Sequence, residues 1–142
     1  MSKYFLTKTW GFSPLTYPVS PFSTLGAMTT YLHESETEDW VLIVGTTNDA
    51  TDEHERGKLL GKVRLGQHVV DTEAILNQIG TEIEPKEYDL EGRYKWPYGL
   101  PMLEAYKFDD TPLAKDIFGS GLPGLVWAIS ARLLSKEEGL PD

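Results

Sequence analysis

The sequence predicts an α+β protein, a small, mixed and strongly bent β-barrel of five to six strands with two to three short helices. Residues 40–45 are continuously apolar and rich in β-branched side chains, which is typical of a strand buried on both faces. Residues 56–65 mostly alternate basic and apolar side chains and predict a half-exposed partner strand, with Leu60 on the basic face. Gly57 and Gly61 lack a Cβ, so they permit the bulge or tight coiling that a closed barrel needs.

The N-terminal segment predicts a strand, an aromatic loop and a helix. Residues 4–6 open a short strand, and the Gly and Pro of residues 10–14 stop regular structure and leave two large aromatics on a loop. Residues 16–21 are extended. Ser23 is a suitable N-cap for a helix over about residues 24–32. The predicted buried face of that helix consists of Leu25, Met28, Thr29 and Leu32.

The segment after the central hairpin predicts a second helix and a loop. Residues 68–70 either continue the hairpin strand or start the next one. Asp71 or Thr72 caps a helix over residues 73–79, which Gly80 ends. Residues 81–92 are polar and acidic and predict a surface loop.

The C-terminal segment predicts two strands around a third helix. The strands are residues 103–108 and 125–133, separated by a turn at residues 119–124. A third helix is predicted to run to about Phe118. Thr111 would be its N-cap, and Pro112 would occupy its first helical position. Because the strands do not alternate with long helices, the order disfavours a doubly wound sheet.

Composition places the chain among single-domain proteins. We expect residues 1–142 to form one domain. There is no cysteine, no long apolar span and no signal-peptide pattern, so we expect a soluble, cytoplasmic protein without membrane contact. The net charge of −9 argues against a protein that coats nucleic acid with its whole surface. The charge is uneven, however. Among Asp, Glu, Lys and Arg, residues 34–55 contain only Asp and Glu, whereas residues 56–64 contain four Lys or Arg side chains and neither Asp nor Glu.

Three segments of the first half carry a family resemblance. Residues 3–9, Lys-Tyr-Phe-Leu-Thr-Lys-Thr, are similar to a Tyr-Trp-Leu-x-Lys-Thr opening. Residues 39–44 resemble a Gly-Asp-x-Val-Leu-apolar strand, and residues 57–63 resemble a Gly-Ile-Val-Gly-x-Val/Ala strand. These patterns resemble the PUA-like superfamily, most of all its EVE-type domains, with YTH and ASCH domains as relatives. The chain departs from EVE domains at Trp10-Gly11, where they have Glu-Pro, and it lacks the Gly-x-Lys-x-x-x-x-Arg signature of ASCH domains. The resemblance implies a small barrel whose pocket receives a modified base or a nucleotide of DNA or RNA.

Two aromatic segments are the candidate pocket walls. Residues 93–102 combine aromatic rings, on which an unpaired base can stack, with Arg93 and Lys95, which can hold its phosphate. Trp10 follows the first strand, where the lip of the family's pocket would lie. The alternative for both segments is that their aromatic side chains close the core of the barrel.

The predicted ligand-binding residues extend these two segments. Backbone and hydroxyl groups near Thr9, Gly11 and Thr46 would read the polar edge of the base, although Thr46 also suits a turn. Arg56 would contact a phosphate, or else pair with the acids that precede it. The full set is Thr9, Trp10, Gly11, Phe12, Thr46, Arg56, Arg93, Lys95, Trp96 and Tyr98.

Motifs for catalysis and cofactors do not appear in the sequence. It contains no nucleophile elbow, phosphate loop, dinucleotide fingerprint or His-Glu-x-x-His pattern, so we assign no catalytic residue, cofactor or metal. The function predicted is a non-enzymatic module that reads a modified base of DNA or RNA, or binds a free nucleotide, and whether it has a separate effector protein as a partner stays open. Two alternatives stay open. One is an ASCH-like hydrolase of a modified nucleoside that uses Lys58 and Glu104, and the other is an accessory module whose acidic surfaces, residues 34–39 and 82–91, meet a basic protein.

Overall fold

Seven strands form one mixed sheet in the computed structural model, which describes residues 4–22, 25–118 and 125–129. The strands are β1 (Tyr4–Thr9), β2 (Val19–Pro21), β3 (Trp40–Gly45), β4 (Leu59–Leu65), β5 (Val70–Asp71), β6 (Tyr98–Lys107) and β7 (Leu125–Ile129). The helices are α1 (Leu25–Glu34), α2 (Thr72–Ile79) and α3 (Ala114–Phe118), and one 3-10 turn covers Pro85–Glu87.

The strand order is β2-β6-β4-β3-β1-β7, and the short β5 also pairs with β6. β1 and β3 are parallel, in register from Tyr4 opposite Trp40 to Thr9 opposite Gly45, and the other pairs are antiparallel. The sheet curls into a half-barrel. The predicted fold class, a small and strongly bent mixed barrel with short helices, is therefore confirmed.

Both faces of the sheet are covered where β1 and β3 lie. Phe5 and Leu6 are neighbours in β1 but belong to different hydrophobic clusters, because successive side chains of a strand point to opposite faces. The inner, concave cluster includes Phe5 and Ile43, and the outer cluster includes Leu6 and Leu42. This arrangement explains why every residue of β3 is buried, as the continuous apolar run predicts.

A bulge in β4 corrects the predicted alternation of that strand. Gly61 pairs with Ile43, whereas Leu59 pairs with Val44, so Leu60 is an extra residue in the ladder. Leu60 is consequently 3% exposed and packs in the inner cluster, and it does not lie on an exposed face with the lysines. Gly57, predicted as one of the two barrel glycines, has a φ of +69°, which favours glycine.

The first two helices differ in how well sequence predicted them. In α1 the buried residues are Met28 and Tyr31, while Leu25 is 53% exposed and Thr29 is exposed, so the predicted face is wrong in part. The reason is an aromatic contact, since Tyr31 packs edge-on against Phe5 with ring centres 5.0 Å apart. The proposed cap, Ser23, lies outside the described residues. For α2 the prediction is confirmed at both ends, because Asp71 caps the helix and Gly80 ends it in the left-handed conformation.

β6 begins earlier than the sequence predicts, which corrects the extent of the aromatic loop. The strand starts at Tyr98, and residues 98–102 pair with β2, β4 and β5. Pro101 is tolerated because its carbonyl, which proline retains, accepts a hydrogen bond from the Gly66 N–H at 2.8 Å. The third helix also starts later than predicted, at Ala114.

The remaining C-terminal predictions reach beyond the described residues. β7 confirms a strand from Leu125 to Ile129, whereas the predicted turn at 119–124 and residues 130–133 lie outside what the structure describes. None of the helices in the described ranges has the length and apolar character of a membrane span.

Candidate functional site

A cavity of about 650 Å³ opens where the parallel strands β1 and β3 end. The Thr46 N–H donates to the Thr9 carbonyl at 2.8 Å and holds the two strand ends together. The walls come from β1, the 10–17 loop, β2 and the 81–96 segment. The volume falls within the range of about 300–1,000 Å³ that is common for small-molecule sites.

The inner end of the cavity is uncharged and mainly apolar, and its rim is charged. The most buried lining residues are Phe12, Val19, Ser20 and Ile43, each at most 3% exposed. The exposed lining residues are polar or charged, namely Lys8, Ser13, Thr16, Glu82, Glu84 and Lys86. This gradient suits a ligand that inserts an uncharged end and leaves a charged end outside.

Trp10 and Trp96 form one corner of the cavity. Their ring centres are 4.5 Å apart and their planes are inclined at 83°. Because the two planes are almost perpendicular, a flat ligand that stacks on one ring meets the edge of the other. The ammonium groups of Lys95 and Lys86 lie 5.0 and 5.5 Å from the centre of the Trp10 ring.

The 10–17 loop is fixed to the barrel by its second aromatic residue. Phe12 is 3% exposed and lies against Gly61 of β4, where a Cβ would come within 2.3 Å of the Phe12 ring. The Thr9 hydroxyl donates to the Gly11 carbonyl at 2.8 Å and shapes the first turn of the loop. The packing of Phe12, two residues after Trp10, thereby holds Trp10 at the rim.

The 81–96 segment forms the opposite wall and is fastened by side-chain hydroxyls. The Tyr94 hydroxyl donates to the Glu87 carboxylate at 3.0 Å, and since it has only one proton, the Tyr17 hydroxyl donates to Tyr94 at 2.5 Å. The Thr81 hydroxyl donates to the Thr16 carbonyl at 2.5 Å. The bonds of Tyr94 to Tyr17 and of Thr81 to Thr16 join the segment to the 10–17 loop, and the bond to Glu87 holds Tyr94 within the segment.

The tyrosine pair resists ionisation. Burial raises the pKa of Tyr17 to about 12, and the nearby Glu87 carboxylate acts in the same direction. Burial also raises the pKa of Tyr94, and its hydrogen bonds to Tyr17 and Glu87 raise it further. Both hydroxyls therefore stay protonated at neutral pH and act as structural donors.

Six of the predicted site residues line the cavity: Thr9, Trp10, Gly11, Phe12, Thr46 and Trp96. The Thr46 hydroxyl interacts with the side chains of Asn48 and Thr51, which is the turn role given as its alternative. Phe12 packs mainly in the core, which is the alternative predicted for aromatic side chains of these segments. Trp10 and Trp96 are half-buried and keep surface toward the cavity.

The two predicted arginines lie outside the cavity lining. The Arg56 guanidinium donates to the Thr51 carbonyl at 2.8 Å and lies 3.9 Å from the Asp49 carboxylate, so it braces the hairpin loop. Arg93 pairs with the carboxylates of Asp89 and Glu91. Both side chains have acidic neighbours that reduce their availability for phosphate.

Lys95 and Tyr98 also differ from their predicted positions. Lys95 does not line the cavity, but its ammonium lies beside Trp10 at the rim. Tyr98 belongs to β6, pairs with Asp71 of β5, is 46% exposed and does not line the cavity. The reason is that β6 starts at Tyr98, which separates this residue from the loop that carries Trp96.

Several cavity residues had no distinguishing signal in the sequence. Ser20 and Met102 lie in ordinary strand segments, and Tyr17, Lys86 and Glu87 lie in segments that predict only connections. Their common feature is tertiary, since the curl of the sheet brings β2 and the 81–96 segment over the end of β1. Lys86 could have been suspected only from its place in an otherwise acidic loop.

The pair suggested for a hydrolase does not assemble in the cavity. Lys58 and Glu104 are absent from its lining, and Glu104 forms an ion pair with Arg64 at 3.1 Å. Within the described ranges, no group of three or more His, Asp or Glu side chains is arranged to hold a metal ion.

Comparisons with known proteins support the fold only. A scan of protein-family models and a search of curated proteins found no match. A solved structure described as a hypothetical protein from Leishmania major aligns with a TM-score of 0.52 and 15% identity, over 96% of this chain and 92% of that one. At this identity the likeness concerns the fold alone and carries no information on the ligand.

Proposed function

We propose that this protein is a PUA-like, EVE-type module that binds a modified nucleobase presented by DNA or RNA. The observation that carries the proposal is the corner of Trp10 and Trp96 at the mouth of a cavity with an apolar inner end. A flipped base is flat and largely uncharged, and its faces stack on aromatic side chains. Its sugar and phosphates would remain at the charged rim.

The position of two lysines supports a ligand that carries phosphate. Lys86 and Lys95 place their ammonium groups within 5.5 Å of the Trp10 ring centre. A base stacked at this corner would therefore have cations beside its backbone. In the described part of the chain, Lys95 has no carboxylate partner, while Lys86 lies 3.3 Å from Glu84. Lys95 is thus the better candidate for a phosphate contact.

Tryptophan fluorescence tests the proposal directly. Short oligonucleotides with a single methylated or hydroxymethylated base would be titrated into the protein, together with unmodified oligonucleotides and free nucleosides. We expect Trp10→Ala and Trp96→Ala each to cost about 1–3 kcal/mol of binding free energy, the usual contribution of one stacked base. Anisotropy of a labelled oligonucleotide gives the affinities where a tryptophan has been removed.

Tyr98→Ala is the matched control for these variants. It also removes a large aromatic ring, but Tyr98 lies outside the cavity lining, so binding should be unchanged. Equal affinities in the wild type, Trp10→Ala and Trp96→Ala would refute the aromatic corner as the binding site. A response to free nucleosides alone would indicate a small-molecule ligand, and no response to any probe would favour the accessory-module alternative.

A further inference from the structure

The inner end of the cavity contains two hydroxyl groups on different walls. Ser20 of β2 is 2% exposed and Thr7 of β1 is half-buried, and both line the cavity. β2 and β1 are separated in the sheet by β6, β4 and β3, so only the curl of the sheet brings them around the same space.

The strand registers place both side chains on the concave face. Ser20 pairs with Leu100, which belongs to the inner cluster, and directly paired residues share a face of the sheet. Thr7 pairs with Ile43 and lies two residues after Phe5, and both of these belong to the inner cluster. The two hydroxyls therefore face the interior that the cavity occupies.

Among the described residues, neither the Ser20 hydroxyl nor the Thr7 hydroxyl has a hydrogen-bond partner. Four threonine hydroxyls around the cavity mouth differ, because those of Thr9, Thr16, Thr46 and Thr81 bond to protein groups, and the Ser13 hydroxyl differs because its residue is exposed to solvent. A hydroxyl that faces a cavity and has no protein partner is available to donate to or accept from a ligand that enters it. The unpaired groups thus lie where the inserted end of a ligand would lie.

We propose that Ser20 and Thr7 determine which base the cavity accepts, by hydrogen-bonding to two different edges of the inserted ring. This inference rests on the proposed function. The surroundings of the two hydroxyls, Phe12, Val19 and Ile43, are apolar and offer no charged group. The inner end therefore suits an uncharged heterocycle with an apolar substituent, such as a methylated base, and disfavours a ring with an ionised substituent, which would be desolvated without a partner.

The test compares Ser20→Ala and Thr7→Val with Ser13→Ala, using short oligonucleotides with one methylcytosine, one methyladenine or one carboxylcytosine. Loss of one hydrogen bond corresponds to a drop in affinity of roughly 2- to 12-fold, which we expect for Ser20→Ala and Thr7→Val with a methylated probe. Ser13→Ala removes an exposed rim hydroxyl and should leave affinity unchanged. The carboxylated probe should bind more weakly than the methylated ones.

The outcomes separate the two proposals. If the wild type binds a methylated probe and Ser20→Ala binds it equally well, the assignment of Ser20 is overturned while the proposed function stands. If the wild type binds no probe, both proposals fail. Thermal unfolding adds a readout that needs no ligand, because removal of a cavity-facing hydroxyl without a protein partner should not lower the Tm of Ser20→Ala. A lower Tm would show that the hydroxyl is structural, and it would contradict the assignment.

Discussion

At the scale of single residues, the position of the aromatic corner depends on a missing side chain. Gly61 leaves space into which the Phe12 ring fits, and Phe12 precedes the turn that orients the rest of the 10–17 loop. In the sequence, Trp10 and Phe12 both resemble exposed aromatic residues of a loop, but their structural roles differ. Phe12 anchors the loop to the core, and Trp10 remains at the cavity because its neighbour is anchored.

Gly61→Ala should destabilise the protein and Gly11→Ala should not. A Cβ at Gly61 would lie 2.3 Å from both the Phe12 ring and the Tyr106 carbonyl oxygen, and the latter is backbone that cannot move aside. We expect a loss of about 1–3 kcal/mol in the free energy of unfolding, typical of overpacking. At Gly11 the nearest atom is a Glu55 side-chain oxygen at 3.4 Å, so the added methyl group is tolerated. Urea unfolding of both variants measures the difference, and equal midpoints would contradict this account of the loop.

At the scale of elements, the 81–96 segment is a wall of the cavity held by hydrogen bonds. Its regular structure consists of the short 3-10 turn Pro85–Glu87 and an isolated antiparallel bridge between Tyr88 and Tyr94, so no long helix or strand gives it rigidity. Tyr94 connects it to Tyr17 on one side and to Glu87 within the segment. Tyr94 also contacts Trp96, with ring centres 6.0 Å apart, so the same side chain supports the aromatic corner.

The stabilisation from the Tyr17 and Tyr94 hydrogen bonds should decrease at alkaline pH. Tyr17 and Tyr94 hold their protons more tightly in the folded protein than in the unfolded chain, where tyrosine ionises near pH 10. Their contribution to stability is therefore complete below about pH 10 and is lost as the pH rises through the folded pKa, about 12 for Tyr17. We expect the free energy of unfolding to fall above about pH 10, and to fall less steeply in Tyr94→Phe. Urea titrations at neutral pH and at about pH 11 test this, and identical pH dependence in the two proteins would contradict it.

At the scale of the whole molecule, the net charge of −9 and the position of the cavity limit how nucleic acid can bind. The rim carries Glu82, Glu84 and Glu87 as well as Lys8 and Lys86, and the predicted arginines have acidic neighbours. Long-range attraction of a polyanion is therefore weak. Recognition would depend on the inserted base, with a few local phosphate contacts at Lys86 and Lys95.

The proposed function consequently predicts a shallow salt dependence. Two phosphate contacts to a single strand correspond to a slope of about −1.4 in a plot of log affinity against log salt concentration. Lys95→Ala should reduce the magnitude of that slope by about 0.7, since one contact is lost. Lys115→Ala removes the same charge from α3, away from the cavity, and should leave the slope unchanged. A steep slope, or equal effects of the two variants, would indicate binding elsewhere on the surface.

The sequence by itself determined most of the elements and the class of fold, a small bent mixed sheet with short helices, because those depend on local patterns. The apolar run of β3 marks the centre of the sheet, Asp71 and Gly80 mark the ends of α2, and glycines mark the bulged strand. One wall of the candidate site was accessible in the same way, since residues 9–12 follow directly from the end of β1.

Only the tertiary structure decided which side chains meet at the cavity. The curl of the sheet brings Ser20 of β2 opposite Thr7 of β1, and hydrogen bonds through Tyr94 bring Lys86 and Trp96 over the same space. The early start of β6 removes Tyr98 from the site, and the pairing of Arg93 with nearby acids reduces its availability for phosphate. These outcomes depend on strand order, register and long-range hydrogen bonds, which couple residues far apart in the chain and leave no local pattern in it.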